Sequence, residues 1–341
     1  IMKKKLRMKM SFSLNKIHLK PMLFLFTLGL LIISQLGYSQ LGDDEFTIAV
    51  DNASNYGNAW QGNGGSGFIN DWIFQIDSDG GAAGKFYEQN ADAASPAIST
   101  NNNSFGTFAN AGGTNPRVAA YRNLNQNLQI GDSFIVEIQH GGVSDNGSNP
   151  NGSMGFTLRS GTTANNADDY NTDSRFEVAF VGGNTDYKIF ANGTTDTGVL
   201  FTFDGIRVKV TLTDLNTADV EITTLGNNQT TTITDVALGG TSDAEIQSTA
   251  LFNRSTQEAN VYFNNLEVTS KYTIPNNEST NVTSDITVPF LDVQSGGSVN
   301  VEAGNVLTIK AGRILTVNGS LTNNGNITFK SELDGSTTPA K

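Results

Sequence analysis

The side chains that could carry out catalysis are few, and histidine is the clearest case. The chain has two histidines, and only His140 lies outside the first 39 residues. A Ser-His-Asp triad needs the histidine to be oriented by a carboxylate and to face an activated serine. Ser144 and Asp145 follow closely, but no Gly-x-Ser-x-Gly motif accompanies them. One histidine also cannot form the two- or three-histidine zinc site of a hydrolase. We therefore predict that His140 ends a strand and lines a groove.

Carboxylates could support hydrolysis of a glycosidic bond. A retaining glycosidase needs two carboxyl groups about 5–5.5 Å apart, which on a sheet means neighbouring positions of one face. Glu177 stands alone in its strand, and Asp219 with Glu221 fits the solvent-facing side of an amphipathic strand. The sequence therefore predicts no catalytic residues.

Carboxylates could also bind calcium. The stretch "DSDGG" places Asp77 and Asp79 two residues apart in a glycine-rich turn, as at the start of many calcium loops. Aspartate also favours turns simply because its side chain bonds the nearby backbone. We name Asp77 and Asp79 as candidate ligands of a structural Ca²⁺ ion, with ordinary turn residues as the alternative.

Aromatic and amide side chains suggest sugar recognition, because ligand sites combine apolar surface with a few placed polar groups. Trp60 and Trp72 flank "QGNGGSGFIND", in which Asn63 and the glycines form an accessible loop. Alternation around Trp72 favours a place in the core, so Trp60 is the tryptophan expected to be exposed.

Arg159 could join this site. It follows Phe156 and Leu158, so the period of two points it away from the core, into a groove or towards Glu177. The candidate glycan-binding residues are thus Trp60, Asn63, Trp72, His140 and Arg159.

The elements that must position these residues are strands. Through residues 46–270, short runs of alternating apolar and β-branched residues recur between turns rich in Gly, Asn and Asp. Many such runs without intervening helices predict an all-β, antiparallel sandwich or barrel. The stretch 242–254 allows one helical turn before a strand. We assign residues 40–270 to this β domain.

After this domain the pattern changes. Residues 271–285 are polar and predict a linker. In residues 286–341, apolar positions from Val299 onwards recur every six to eight residues between small turn pairs. This rhythm favours a short, truncated β-solenoid-like segment, with a meander of hairpins as the alternative. Because solenoids need caps, we expect this chain to be part of a longer polypeptide.

Residues 1–39 resemble a secretory signal peptide. A basic flank precedes the apolar run 22–33, which is shorter than the about 20 residues of a membrane span, and small residues follow it. An uncleaved anchor is the alternative. Removing this segment takes seven of the 21 Lys and Arg residues and none of the 33 Asp and Glu, leaving a net charge of −19. Such a chain is unsuited to nucleic acid or anionic lipid. With no cysteine, it has neither disulfides nor thiolate sites.

The stretch from Phe46 to Ser270 resembles the concanavalin A-like lectin/glucanase jelly rolls (laminin-G-like) of secreted bacterial surface proteins. The resemblance is carried by "GNGGSGFINDW", "GFTLRS", "FEVAFVGG" and the closing strand "VYFNNLEV". The tail resembles the Gly/Asn-rich β-repeats of large surface proteins.

The resemblance implies a jelly roll that either binds sugars or hydrolyses glucans. The Glu-x-Asp-x-x-Glu strand of the glucanases does not occur here. We therefore expect a secreted, non-catalytic carbohydrate-binding module whose partner is an extracellular glycan or cell-surface component, without a membrane span in the mature chain. The alternatives are a structural or adhesive spacer, a protein-binding domain and, less favoured, a glycoside hydrolase.

Overall fold

The computed structural model describes residues 40–42, 45–57, 59–88, 98–110, 115–143, 152–254, 260–310 and 315–329. Residues 40–341 group into one compact unit. The described part contains 24 strands and two short 3₁₀ helices, Ala53–Asn55 and Asp169–Asn171. No helix within these ranges is long and apolar enough to cross a membrane.

The first fifteen strands form the β domain. They are β1 Phe46–Asp51, β2 Phe68–Asp77, β3 Ala82–Glu88, β4 Ser104–Asn110, β5 Arg117–Leu128, β6 Asp132–His140, β7 Ser153–Arg159, β8 Ser174–Val181, β9 Asp186–Ala191, β10 Gly193–Leu200, β11 Ile206–Asp214, β12 Thr217–Thr224, β13 Gln229–Ala237, β14 Ile246–Arg254 and β15 Val261–Ser270.

These strands make two antiparallel sheets that pack face to face. The eight-stranded sheet has the order β13-β12-β11-β6-β15-β4-β3, with β1 also paired to β15, and the seven-stranded sheet has the order β10-β9-β8-β7-β14-β5-β2. The chain moves between the sheets repeatedly, so neighbouring strands are often distant in sequence. The predicted all-β antiparallel sandwich is confirmed.

Alternation of side chains explains the core between the sheets. In β11, Val208 and Val210 are fully buried, whereas Arg207, which precedes Val208 in the same strand, is exposed. Phe134 from the eight-stranded sheet stacks on Phe156 from the seven-stranded sheet, with ring centroids 5.6 Å apart. Burying one face of each strand in this way supplies most of the favourable free energy of folding.

Residues 242–245, where the sequence allows a helical turn, contain no helix, and β14 begins at Ile246. A second correction concerns the predicted linker 271–285. It contains two strands, and Ile274 and Val282 within it are buried. Polar residues in the turns between its short strands give this segment a composition like that of a linker.

The last nine strands form a separate parallel arrangement, called here the coil. They are β16 Thr273–Ile274, β17 Ser279–Val282, β18 Ile286–Val288, β19 Leu291–Val293, β20 Ser298–Val301, β21 Val306–Ile309, β22 Leu315–Val317, β23 Ser320–Asn323 and β24 Asn326–Phe329.

Strands of the coil that are three places apart along the chain pair in parallel. The three sheets have the orders β16-β19-β22, β17-β20-β23 and β18-β21-β24. The six-to-eight-residue rhythm is therefore the distance from one strand to the next, and three strands complete one turn. Inward residues stack in columns, as Val288 does over Ile309 and Phe329.

The coil rests against the β domain at its first turn. Leu41 donates its backbone N–H to the carbonyl oxygen of Asn281, a residue of strand β17, at 3.0 Å. Leu41 and Phe46 belong to the same buried cluster as the first-turn residues of the coil, and Tyr272 packs against it. The β domain thus covers one end of the coil.

Candidate functional site

Trp60, which the sequence predicts to be exposed, is buried, so that prediction is wrong. It is 1% exposed and stacks on Phe105 with centroids 4.7 Å apart. Trp72, which is also buried, meets it edge-on at 5.2 Å. Lys85 donates a hydrogen bond to the Trp60 carbonyl oxygen and ties this segment to β3. Both indoles belong to the core and offer no stacking surface to a sugar.

Asn63 does reach the surface. Its Oδ1 accepts a hydrogen bond from Nη2 of the buried Arg122, whose Nε lies 2.9 Å from Oδ2 of Asp51. Asn63 is thus positioned by a buried ion pair. It borders an open, polar recess of about 390 Å³, lined by Asn55, Tyr56, Ala59, Gln61, Asn63 and Gly64.

His140 is 2% exposed, so the prediction that it lines a groove is wrong. Its Nδ1 accepts the Gly142 N–H at 3.2 Å, which leaves Nε2 to donate to the Tyr187 hydroxyl at 2.9 Å. Burial lowers the pKa of His140 to about 3 and keeps the ring neutral. Phe180 and Phe201 pack against it. This histidine supports packing and has no access to a substrate.

Arg159 also differs from its prediction. It does leave the core side of β7, but it is fully buried because the loop 160–173 folds over it. Its guanidinium donates to the carbonyl oxygens of Thr163, at 2.6 Å, and Thr172, at 3.1 Å. These bonds fix the loop on the outer face of the seven-stranded sheet, so Arg159 is a structural residue.

Asp77 and Asp79 have the geometry of an aspartate turn. The Asp79 N–H donates to Asp77 Oδ1 at 3.0 Å, as in an ordinary aspartate turn. Asp77 Oδ2 lies 2.9 Å from Nη2 of Arg117, which also lies 2.9 Å from Oδ2 of Asp168. The Arg117 guanidinium thus lies between the carboxylates of Asp77 and Asp168. The described residues contain no group of three or more acidic or histidine side chains that could hold a metal.

Glu177 lies on the outer face of the seven-stranded sheet. Its register neighbours are Thr157 and Phe190, neither of which is an acid. Burial raises the pKa of Glu177 to about 7, and the nearby charge of Arg254 opposes the shift. The ion pair with Arg159 that the sequence allowed is thus replaced by an interaction with Arg254. Neither position beside Glu177 supplies the second carboxyl of a glycosidase.

A groove that the sequence did not indicate lies where β10 leads into β11. It encloses about 440 Å³ between this connection and the β12–β13 turn. Its lining residues are Gly198, Val199, Leu200, Phe201, Thr202, Asp204, Thr224, Gly226, Asn227, Gln229 and Thr231. We call it the Phe203 groove after the exposed aromatic residue that lies in sequence between two of its lining residues, Thr202 and Asp204.

Apolar surface is unusually accessible here. Leu200 is 64% exposed and Phe203 is 68% exposed. Phe203 packs edge-on against Phe201 at 4.8 Å, and Phe201 in turn contacts buried His140 at 4.9 Å. The exposed ring is therefore supported by a stack of rings that runs back into the core, and the Gln139 amide donates to the Phe203 carbonyl oxygen at 2.6 Å.

Polar groups complete the groove. The side chains of Asp204, Asn227 and Gln229 are exposed along it. Gly226 approaches the Asp204 carboxylate so closely that a β-carbon at that position would collide with it. The two loops are thereby held together, and the groove offers amide donors and acceptors plus one carboxylate beside an apolar wall.

The sequence does not indicate this site, because the run "GVLFTF" at 198–203 has the composition of one continuous strand. The strand in fact ends at Leu200. The sequence holds one indication of this strand end. Leu200, Phe201 and Phe203 come immediately before Asp204-Gly205, and large apolar residues that point to both faces of a strand end cannot all be buried.

Comparison with known proteins finds a distant structural likeness. No protein-family model matches the chain, and no curated protein matches it. Among solved structures, lectin I of Ulex europaeus in complex with the methyl glycoside of α-L-fucose shares 11% identity, covering 67% of this chain and 98% of the lectin, with a TM-score of 0.38.

Two further structures match at the same level. The legume lectin-like domain of Entamoeba histolytica has 10% identity, covers 58% of this chain and 88% of its own, and has a TM-score of 0.34. The potassium-bound carbohydrate recognition domain of Emp46p has 12% identity, covers 58% and 87%, and has a TM-score of 0.32. At such values, the function of this chain must be argued from its own residues.

Proposed function

We propose that the β domain is a non-catalytic carbohydrate-binding module that takes an uncharged glycan into the Phe203 groove. One observation carries the proposal: the exposed Phe203 ring packs on Phe201, which lines a groove that also presents amide and carboxylate side chains. Sugar rings have apolar faces and a rim of hydroxyl groups, so this combination suits them. The net charge of −19 outside residues 1–39 disfavours acidic polysaccharides.

The proposed location rests on the sequence of residues 1–39. A basic flank with a short apolar run and small residues supports export of the chain, so the partner is an extracellular glycan or a glycan of the cell surface. Removal of residues 1–39 leaves the Phe203 groove intact, because all of its lining residues lie between 198 and 231.

The test is retention of the secreted chain on soluble and insoluble neutral polysaccharides. Phe203→Ala is expected to weaken binding about tenfold, because loss of one central aromatic contact costs roughly 1–2 kcal/mol. Ile76→Ala is the matched control, since Ile76 is 47% exposed on β2, at the opposite edge of the seven-stranded sheet from β10 and outside the groove lining.

Two results would refute the proposal. One is that no polysaccharide retains the unmodified chain, which would favour a spacer or a protein-binding role. The other is equal loss of binding in the Phe203→Ala and Ile76→Ala variants, which would place the site elsewhere.

A further inference from the structure

The β12–β13 turn holds one side-chain amide of the Phe203 groove in a fixed orientation. Oδ1 of Asn227 accepts a hydrogen bond from the Thr224 hydroxyl and a second from the Gln229 backbone N–H at 3.1 Å. A backbone N–H can only donate, so the atom that it reaches must be the amide oxygen of Asn227 and not its nitrogen. Both lone pairs of that oxygen are thereby used inside the turn, and Nδ2 is the atom that remains for a ligand.

The amide hydrogens of this turn are only partly used within it. Nδ2 of Asn227 carries two hydrogens and donates one of them to Oε1 of Gln229 at 3.4 Å. Because this bond turns the oxygen of the Gln229 amide towards Asn227, Nε2 of Gln229 points away from it. Both side chains are exposed and line the groove. The turn therefore offers N–H donors to a molecule in the groove.

The β10–β11 connection supplies an acceptor beside these donors. Asp204 is exposed, and its backbone N–H donates to the Thr202 hydroxyl at 3.2 Å, which supports the bend that carries it. Its carboxylate lies directly against Gly226, where a β-carbon would collide with Oδ2. Asn227 follows Gly226 in the chain, so the carboxylate and the amide donors are neighbours. None of the described lining residues is a lysine or an arginine, so the groove provides no cation that would occupy the carboxylate.

Apolar surface lies next to these polar groups. Leu200 lines the groove and is 64% exposed, and the ring of Phe201 lines it as well. The groove thus combines an acceptor-only carboxylate, an oriented N–H donor and an uncovered aliphatic side chain. A sugar hydroxyl cannot satisfy all three, because it has no apolar part. An acetamido group can, since its N–H donates, its carbonyl oxygen accepts and its methyl group is apolar.

We propose that the glycan bound in the Phe203 groove carries acetamido groups, as N-acetylhexosamines do; this inference rests on the proposed function. The acetamido N–H donates to the Asp204 carboxylate, its carbonyl oxygen accepts from Nδ2 of Asn227, and its methyl group packs on Leu200. A sugar with a hydroxyl group in place of the acetamido group leaves at least one of these polar groups unpaired. Sites built on such hydrogen bonds discriminate strongly against an analogue that cannot form them.

Four sugars test this assignment: the methyl glycosides of N-acetylglucosamine, N-acetylgalactosamine, glucose and galactose. Each acetylated sugar differs from its parent sugar, glucose or galactose, only in the group at carbon 2. The affinity of the secreted chain for each is measured by NMR titration. At least one acetylated sugar is expected to bind about tenfold more tightly than its parent, as the loss of a paired hydrogen bond predicts. Saturation transfer from the protein should be strongest at the acetyl methyl group.

Two variants of nearly unchanged size test the assigned atoms. Asn227→Asp keeps the oxygen that receives the bonds from Thr224 and Gln229, but it replaces the donor Nδ2 by an acceptor. Asp204→Asn introduces N–H donors where the groove has only acceptors. Each variant should remove most of the preference for the acetylated sugar over its parent. Asp71→Asn removes an exposed carboxylate on β2, outside the groove lining, and is the matched control that should keep the preference.

The outcomes separate this inference from the proposed function. Equal affinities for acetylated and parent sugars, with binding that Phe203→Ala still weakens, would overturn the acetamido assignment and leave the proposed function in place. Retention only on polysaccharides that lack acetamido groups would do the same. A preference that survives both Asn227→Asp and Asp204→Asn would also overturn it, since other residues would then recognise the acetamido group. Failure of every sugar and polysaccharide to bind would overturn both.

Discussion

Nε of Arg122 lies 2.9 Å from Oδ2 of Asp51, and neither side chain is accessible to solvent. The Tyr56 hydroxyl donates to the same carboxylate at 2.8 Å, and the Trp72 indole N–H donates to Tyr56 at 2.9 Å. Through Arg122 this network also holds Asn63 at the surface. A buried ion pair thus joins β1, β5 and the glycine-rich loop before β2.

Asp51→Asn is expected to destabilise the protein by about 3–5 kcal/mol, because it leaves the guanidinium of Arg122 charged and unpaired in the core. Urea denaturation measures the change. The double variant Asp51→Asn/Arg122→Met should lose less than the two single variants together, since it removes the unpaired charge as well. A single variant within about 1 kcal/mol of the unmodified protein would contradict a charged pair.

Trp60→Ala should cost about 3–5 kcal/mol, because it leaves a cavity between Phe105 and Trp72. Trp60→Phe should cost less, since the ring contacts are partly kept. Tryptophan fluorescence checks the burial directly: the chain has two tryptophans, and both should resist quenching by iodide. Ready quenching combined with an unchanged denaturation midpoint would show that Trp60 is exposed.

The alternation of side chains along a strand explains why the sheets could be predicted from the sequence. It also explains why the prediction that His140 lines a groove was wrong. In β6, His140 lies on the same face of the strand as Phe134, Val136 and Ile138, so the alternation itself places it on the core face. Arg122 likewise lies on the same inward face of β5 as Val118. A polar residue at a position that faces the core is therefore expected to be buried, and a prediction from residue type alone wrongly puts it at the surface.

The burial of Arg159 lay beyond such reasoning. Its place in the alternation correctly directs it away from the core, but the loop 160–173 then covers it, and Arg159 donates hydrogen bonds to the carbonyl oxygens of Thr163 and Thr172. The exposure of Phe203 is similar, because it depends on the end of β10 and on the approach of the β12–β13 turn. Contacts between distant loops are not encoded in local periodicity.

Glu177 gives a pH-dependent prediction. Burial raises its pKa from 4.5 to about 7, so between these values the folded protein holds a proton that the unfolded chain releases. Its contribution is present below pH 4.5 and lost as the pH rises through 7, at about 1.4 kcal/mol per pH unit. Glu177→Gln should therefore raise stability at pH 8 and have little effect at pH 4.

Denaturation of both proteins at pH 4, 6 and 8 measures this difference. Glu221→Gln, on the outer face of the eight-stranded sheet, is the control for removing a carboxylate elsewhere in the β domain. If Glu177→Gln gives no more stability at pH 8 than at pH 4, the carboxyl of Glu177 is not buried as the structure shows.

His140 shifts stability in the opposite direction with pH. Burial lowers its pKa from 6.5 to about 3, so below pH 6.5 the unfolded chain binds a proton that the folded protein excludes. Its contribution is present above pH 6.5 and is lost on acidification at about 1.4 kcal/mol per pH unit, down to about pH 3. His140→Gln can still donate to the Tyr187 hydroxyl but cannot titrate, so it should remove this slope even where it lowers stability overall. The measurement is the free energy of unfolding of both proteins at pH 7 and at pH 5. If both lose the same amount of stability between these pH values, His140 is protonated inside the folded protein, and its assignment as a neutral, buried residue is wrong.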